Sequence, residues 1–171
     1  MKTIGFTSEN VIKKLVGHYG LPAFLFSIND KNNFVLNAEQ KKINLMLIPY
    51  SEYTNVANCK LDSKHVLVFE DLWNSCEEVI ASKIAWYANA HEKISARSCS
   101  IVKLNANETI GFLNKHHLMK HAESKYNYAL IFKKQICSVA SFSRGRRMNR
   151  LPEGKLGYEL IRFATVPFLS I

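Results

Sequence analysis

The sequence YNYALIFKKQICSVASFS, residues 126–143, decides the fold of the C-terminal part of the chain. It holds two runs rich in aromatic and β-branched residues, separated by the polar triplet KKQ. Two such runs around a short polar interval are typical of an antiparallel β-hairpin. The sequence therefore predicts two neighbouring strands, and with them a sheet, in this part of the chain.

The segments around this hairpin extend the predicted sheet and add one helix. CSIVKL (99–104) and GYELIRFAT (157–165) have the composition of strands. Asn105 and Glu108 have the spacing of a helix capping box. Four apolar side chains of the helix that follows are expected to face a core: Ile110, Phe112, Leu113 and Leu118. Three phenylalanines within predicted strands are expected in the core rather than at a stacking surface: Phe132, Phe142 and Phe163.

An amphipathic helix opens the N-terminal part. Residues 8–18 place apolar side chains on one helical face, with Ser8 as the predicted cap and Gly20 as the predicted stop. Short apolar runs rich in strand formers follow. They predict four strands at residues 23–28, 33–37, 43–48 and 65–70.

The last of these strands and a second helix complete the N-terminal part. The run at 65–70 hardly alternates, so it is predicted to be a central strand. Apolar residues then recur at helical spacing, and Ser75 with Glu78 has the pattern of a capping box. A polar segment places a boundary near Ser95. The sequence predicts an α/β (α+β) protein: a small α/β domain, residues 1–95, and a partial antiparallel sheet with a helix, residues 96–171.

The positive charge of the chain is concentrated in its C-terminal part. The formal net charge is +9 at neutral pH. Residues 1–95 hold ten Lys and Arg against ten Asp and Glu, whereas residues 96–171 hold thirteen against four. The whole excess lies in the second domain, which indicates an anionic partner there. A solvated basic surface without a partner is the alternative.

The most basic segment is SFSRGRRMNRLPEGK, residues 141–155, which we call the basic loop. Arginine side chains are fork-shaped donors that suit phosphate oxygens. No pattern for reading base edges accompanies them, so the sequence predicts contact with the nucleic-acid backbone. The candidate nucleic-acid-binding residues are Arg144, Arg146, Arg147, Arg150 and Lys155.

Three segments resemble phage and mobile-element endonucleases related to very-short-patch-repair nucleases: HVLVFEDLW (65–73), NSCEEVIASKI (74–84) and KISARSCSIVKL (93–104). The resemblance implies a restriction-endonuclease-like fold for residues 1–95. Such enzymes hold a metal ion with two acids on neighbouring strands. The matching positions here are Asn33 and Met46, so the resemblance implies a degenerate nuclease with no catalytic residues and no metal ion.

Four acids lie near the matched positions. Asp30 and Glu52 do not fall on the matched strand positions, and Glu70 and Asp71 are expected as a strand end and a helix cap rather than as metal ligands.

The C-terminal segments FLNKHHL (112–118), ALIFKKQICSVASFSRGR (129–146) and YELIRFAT (158–165) resemble the C-terminal module of the same family, which is similar to the first half of a GNAT acetyltransferase. Proteins of that fold seat the cofactor pyrophosphate at a helix N-terminus after a Gly-Gly loop. The sequence given ends at Ile171 without that loop, so we expect an incomplete module and no cofactor. Two alternatives remain: an N-acetyltransferase whose acetyl-CoA loop lies beyond residue 171, and an interaction domain without a ligand.

The remaining residues with metal-binding chemistry give weak signals. Adjacent helical histidines point about 100° apart, so three are expected to be ordinary surface residues: His116, His117 and His121. The cysteines form no C-x-x-C pair and are predicted to be buried thiols of a cytoplasmic protein rather than zinc ligands: Cys59, Cys76, Cys99 and Cys137. No apolar run reaches the ~20 residues that span a bilayer, so no membrane association is expected.

Overall fold

The computed structural model describes residues 6–38, 41–54 and 65–171. These residues form both helices and β-strands, so the predicted α/β (α+β) fold class is confirmed. The chain divides into two compact units, Met1–His91 and Glu92–Ile171. The sequence had placed the boundary near Ser95.

Among its described residues, the first unit contains two α-helices and four strands: α1 (Ser8–Gly17), β1 (Phe26–Ile28), β2 (Asn33–Ala38), β3 (Lys41–Ile48), β4 (His65–Phe69) and α2 (Glu70–Tyr87). The strands form one sheet in the order β1-β2-β3-β4. β1, β2 and β3 are antiparallel neighbours, whereas β4 runs parallel to β3. The predicted order of one helix, four strands and a second helix is confirmed.

One face of this sheet forms much of the core of the first unit. Successive side chains of a strand point to opposite faces, so alternate residues are buried together. Phe34 and Leu36 of β2 lie opposite Leu45 and Ile43 of β3, and Phe34, Leu36 and Leu45 are almost completely buried. The helices add further buried residues, among them Val11, Leu15, Trp73, Ile80 and Ile84.

The prediction that the run at 65–70 forms a central strand was wrong. β4 lies at the end of the sheet, where β3 is its one neighbour among the described strands. Val68 is its one buried residue, and the others are half-buried. The strand is apolar because α2 packs against it, and not because a strand flanks it on each side.

Both predicted serine caps in the first unit were also wrong. Thr7 caps α1 with its side chain, which accepts a hydrogen bond from the backbone N–H of Asn10. Ser8 is the first residue of α1 and is fully buried. Ser75 lies within α2, and its hydroxyl donates to the carbonyl of Asp71 at 2.7 Å. The residue after it, Cys76, leaves helical geometry at φ −142° and ψ 38°, so α2 is kinked there.

The second unit contains six strands, one α-helix and a 3-10 turn at Ala96–Ser98: β5 (Glu92–Lys93), β6 (Ser100–Lys103), α3 (Ala106–His116), β7 (Tyr126–Phe132), β8 (Gln135–Phe142), β9 (Leu160–Thr165) and β10 (Leu169–Ser170). Four of the strands form an antiparallel sheet in the order β6-β7-β8-β9. β5 and β10 form a separate parallel pair.

The predicted hairpin of residues 126–143 is confirmed as β7 and β8. Lys133 and Lys134 join the two strands with positive φ angles of 48° and 66°. Two successive residues with positive φ produce the twist that a two-residue hairpin turn needs. The hairpin therefore has a tight turn at the position of the polar triplet.

The capping box of α3 is confirmed. The Asn105 side chain accepts from the Glu108 N–H at 2.9 Å, and the Glu108 side chain accepts from the Asn105 N–H at 3.1 Å. Each bond satisfies a backbone donor that a helix start leaves without an intrahelical partner.

α3 covers one face of the β6–β9 sheet. The core between them contains Leu104, Leu113, Ala129, Val139 and Ala164, with Phe112 packed against it. Of the four helix residues expected to face this core, Leu113 is fully buried and Phe112 is half-buried. Two of those expectations were wrong. Ile110 is 37% exposed, and Leu118 lies beyond the end of the helix.

Candidate nucleic-acid interface

The basic loop belongs to a connection that prolongs the β8–β9 hairpin. Ser143 donates its N–H to the carbonyl of Glu159, and its hydroxyl accepts from the Glu159 N–H, both at 2.9 Å. Further out, Arg146 and Gly157 form an antiparallel bridge with N–O distances of 2.9 and 3.0 Å. The base of the basic loop is therefore an ordered two-stranded extension of the sheet.

Two turns shape the outer part of the basic loop. The Leu151 N–H donates to the Met148 carbonyl at 3.0 Å, and the Lys155 N–H donates to the Pro152 carbonyl at 3.1 Å. Gly154 has a φ of 80°, a conformation that favours glycine. The outer part is thus held by backbone hydrogen bonds of its own.

The five predicted binding residues differ in their surroundings. All five are exposed. Arg146 donates from Nη2 to the Glu159 carboxylate at 2.8 Å, so its charge is already balanced within the protein. The other four form no ion pair with any residue of the described ranges: Arg144, Arg147, Arg150 and Lys155. The structure places four uncompensated cations on the basic loop rather than five.

The sheet face opposite α3 is apolar and uncovered within the described part of the chain. Tyr128, Ala140 and Phe163 lie side by side across β7, β8 and β9 and point to this face. Tyr128 is 38% exposed, Phe163 is 52% exposed, and Ile101 on β6 is 72% exposed. Together they border a groove on the open face.

Aromatic rings connect this groove to the basic loop. Tyr128 and Phe142 lie edge to face with ring centroids 6.3 Å apart, and Tyr126 and Tyr158 do so at 5.7 Å. These four rings line a second depression. Tyr158 also packs on the backbone of Gly145, where an added Cβ would lie 2.9 Å from the ring. We call the side chains of Tyr126, Tyr128, Phe142, Tyr158 and Phe163 the aromatic face.

The expectation that Phe163 lies in the core was wrong. Its neighbour Ala164 points toward α3 and is buried, whereas Phe163 points to the open face. Phe132 and Phe142 are half-buried. An apolar strand has two faces, and its sequence alone does not show which of them another element covers. β7 shows the same departure from expectation: its polar Asn127 is buried, whereas the aromatic neighbours Tyr126 and Tyr128 are more exposed.

In the first unit, the two positions matched to nuclease acids are neighbours. Asn33 of β2 and Met46 of β3 are directly paired in the sheet. The Asn33 amide donates to both oxygens of Asp30, at 2.9 and 2.8 Å, and the backbone N–H of Asn32 donates to the same carboxylate. These hydrogen bonds hold the pKa of the Asp30 carboxyl below its ordinary value of 3.8, and the bond from the Asn33 side chain contributes most.

The other acids near this pair also make hydrogen bonds within the first unit. The Glu52 carboxylate accepts from the Asn32 amide at 3.4 Å. The Glu70 carboxylate accepts from the Tyr50 N–H at 2.8 Å. The Asp71 carboxylate accepts from the Tyr53 hydroxyl, which in turn accepts from the Asp71 N–H at 3.0 Å. Each of these acids therefore has a structural partner.

The histidines singled out in the sequence lie at or just after the end of α3. The His116 ring packs on Phe112 with centroids 4.6 Å apart, and His117 Nδ1 accepts from the Met119 N–H at 3.0 Å. The His121 N–H bonds back to α3. Among the residues that the structure describes, no group of three or more His, Cys, Asp or Glu is placed to hold a metal ion.

Comparison with protein-family models, with curated proteins and with solved structures gives no match to this chain. Among the helices in the described ranges, none has the length and apolar character needed to cross a membrane.

Proposed function

We propose that the second unit binds nucleic acid, mainly through the phosphate backbone, by means of the basic loop. The observation that carries this proposal is the set of four uncompensated cations, Arg144, Arg147, Arg150 and Lys155, on a loop whose backbone is fixed by hydrogen bonds. A fixed loop loses less conformational freedom on binding than a freely moving one. Arginine side chains on such a backbone carry fork-shaped donors that suit phosphate oxygens.

The composition of the second domain supports the same proposal. Residues 96–171 carry the entire net charge of +9, so the potential around this part of the chain attracts polyanions. Each phosphate that a lysine or arginine neutralises releases condensed counterions, which makes binding strongly salt-dependent.

For the first unit we propose a nuclease-type fold without nuclease activity. The pairing of Asn33 with Met46 supports this part, because the two positions matched to metal-binding acids are direct neighbours across two strands. A neutral amide is a weak ligand for Mg²⁺, and a thioether is a poor one, since hard cations prefer carboxylate oxygens.

A cytoplasmic location completes the proposal. Its support is the free thiol of each described cysteine, Cys76, Cys99 and Cys137. Free thiols are typical of reducing compartments. Cys59 lies outside the described residues.

The test of the proposed function is the salt dependence of binding to labelled duplex DNA, measured by fluorescence anisotropy. The variant R144A/R147A/R150A removes three of the uncompensated arginines. We expect the slope of log affinity against log salt to become shallower by roughly 2–3, at about 0.9 per lost phosphate contact.

The matched control is K93A/R97A/K115A, which removes the same charge from exposed positions of the second unit outside the basic loop. We expect it to leave the slope nearly unchanged. If both variants reduce the slope equally, binding depends on the overall charge of the second unit and not on the basic loop. If the slope is unchanged in the arginine variant, the basic loop is not part of the interface.

Acetyl-CoA binding is the competing candidate for this unit. Calorimetric titration of the unmodified chain with acetyl-CoA tests it directly. We expect no saturable binding at micromolar concentration, because arginine side chains replace a pyrophosphate-binding helix N-terminus poorly. Saturable binding would favour the acetyltransferase function instead.

A further inference from the structure

Resting on the nucleic-acid binding proposed above, we infer that the aromatic face is a stacking platform and that the preferred ligand is single-stranded nucleic acid. The aromatic face lies on the side of the β6–β9 sheet that α3 does not cover. Tyr158 is 54% exposed and Phe163 is 52% exposed. Large aromatic side chains clustered on an uncovered surface mark an interaction site rather than ordinary surface variation.

The shape of the face suits flat apolar groups. Ala140 lies between Tyr128 and Phe163 across the sheet, and Ser138 lies beside Leu130. These small side chains line the groove together with the rings of Tyr128, Phe142 and Phe163. Because neighbouring strands are about 4.8 Å apart, the backbones at Tyr128 and Phe163 are roughly 10 Å apart, with the small side chain of Ala140 between them.

The charges around the face identify the chemistry of the ligand. Lys103 is the strand partner of Tyr128 and is exposed. On the side of the basic loop, Arg144 adjoins Gly145, whose backbone supports the Tyr158 ring. None of the described residues that line the two depressions is acidic. An aromatic surface bordered by cations complements a chain of flat bases joined by phosphates.

This arrangement favours a single strand over a duplex. In a duplex the flat sides of the bases are already stacked on one another, so aromatic side chains cannot reach them. In a single strand the bases are free to stack on protein rings while cations contact the phosphates. The phosphate contacts alone would not distinguish the two ligands.

The test compares four labelled ligands by fluorescence anisotropy. They are a DNA strand of about 12 nucleotides, within the site sizes of single-strand-binding folds, the RNA strand of the same sequence, the corresponding DNA duplex, and an abasic strand of equal length. The abasic strand keeps the phosphates and lacks the bases. We expect the DNA strand, the RNA strand or both to bind more tightly than the duplex and the abasic strand. Whichever of the two single strands binds more tightly shows whether the ligand is DNA or RNA.

Phe163→Ile removes one ring while keeping an apolar, strand-forming side chain. Loss of one stacked base should weaken single-strand binding by roughly 5- to 150-fold and leave binding of the abasic strand unchanged. Tyr128→Leu is a second variant with the same expectation. Phe24→Ile is the control, because Phe24 is 81% exposed but belongs to the first unit. Thermal unfolding verifies that each variant is folded.

The failures of the two proposals are distinguishable. If full and abasic strands bind equally and Phe163→Ile has no effect, the stacking proposal is wrong, whereas binding to the phosphate backbone is retained. If no ligand binds at all, the proposed function itself fails. If Phe163→Ile instead abolishes self-association in sedimentation, without any change in strand binding, the face is a contact between copies of the chain and the platform is overturned.

Discussion

Asn33 and Met46 are direct partners across β2 and β3. They are the two positions that the proposed resemblance matches to metal-binding acids. Side chains paired in this way have Cβ atoms about 5 Å apart on the same face of the sheet. Two carboxylates there could share one cation, whereas an amide and a thioether form a poor site for Mg²⁺.

We therefore expect no cleavage of plasmid DNA by the pure protein with Mg²⁺ or Mn²⁺. The double variant N33D/M46E tests the same explanation, because it places two carboxylates at the paired positions. It should acquire Mn²⁺ binding in a calorimetric titration even if it does not cut DNA. Metal-dependent cutting by the unmodified chain, lost in Asp30→Asn or Glu52→Gln, would show that the matched positions were shifted.

The Asp30 carboxyl should titrate below 3.8 in an NMR titration, because Asn33 and Asn32 donate hydrogen bonds to its ionised form. A lowered pKa in the folded state contributes stability that is present above the unfolded pKa and lost as the pH falls through the folded pKa. The first unit should therefore lose stability in acid, below about pH 4.

Asn33→Ala should raise the pKa of Asp30 toward 3.8 and make the acid loss of stability less steep. Asn32→Ala is the matched control, because only the backbone of Asn32 contacts Asp30. An Asp30 pKa that is the same in Asn33→Ala and in the unmodified chain would contradict the assigned cause.

Glu159→Gln should strengthen binding to nucleic acid. It removes the acid that holds Arg146, and the released arginine should steepen the salt dependence by about 0.9 if it meets one phosphate. The cost in folding stability should be small, about 0–1 kcal/mol, because the pair is exposed.

Glu153→Gln is the control for that measurement. Glu153 lies in the basic loop, within the same β8–β9 connection as Glu159, and forms no ion pair with the described residues. The variant therefore changes the charge equally without releasing an arginine. A salt dependence that steepens equally in both variants would mean that Arg146 is not restrained by Glu159.

Two residues of α3 should differ sharply in their contribution to stability. Leu113→Ala should lower the free energy of unfolding by about 2–5 kcal/mol, because Leu113 is fully buried in the core. Ile110→Ala should cost only about 1 kcal/mol, since Ile110 is partly exposed. Urea denaturation of the two variants measures the difference, and similar losses would place Ile110 in the core as the sequence suggested.

Local signals were the most informative part of the sequence. The Asn105–Glu108 capping box depends on four consecutive residues and was identified correctly. The Ser75–Glu78 pattern is chemically similar, but α2 begins at Glu70 and Ser75 lies just before the kink at Cys76, where its hydroxyl donates to the Asp71 carbonyl instead of capping. A capping pattern shows where a helix could start and does not show that no helix has started before it.

The errors about strands have a different cause. The run at 65–70 is apolar because α2 packs on β4, and an apolar run records burial without recording the position of the strand in a sheet. The sequence likewise could not show that Phe163 faces away from α3. The basic loop was found because its composition is extreme, but the pairing of Arg146 with Glu159 depends on how the loop folds back.

The short pairing of β5 with β10 has a topological consequence. The N–H of Glu92 donates to the carbonyl of Phe168 at 2.9 Å, and the N–H of Ile94 donates to the carbonyl of Ser170 at 2.8 Å. The first and last strands of the second unit therefore lie side by side. Because β5 and β10 run parallel, a linker from the end of β10 to the start of β5 has to run back along the pair. With such a linker, and with new termini cut at the Lys133–Lys134 turn, we expect a circular permutant that keeps the β6–β9 sheet. Such a permutant would present the basic loop and the aromatic face without the first unit attached.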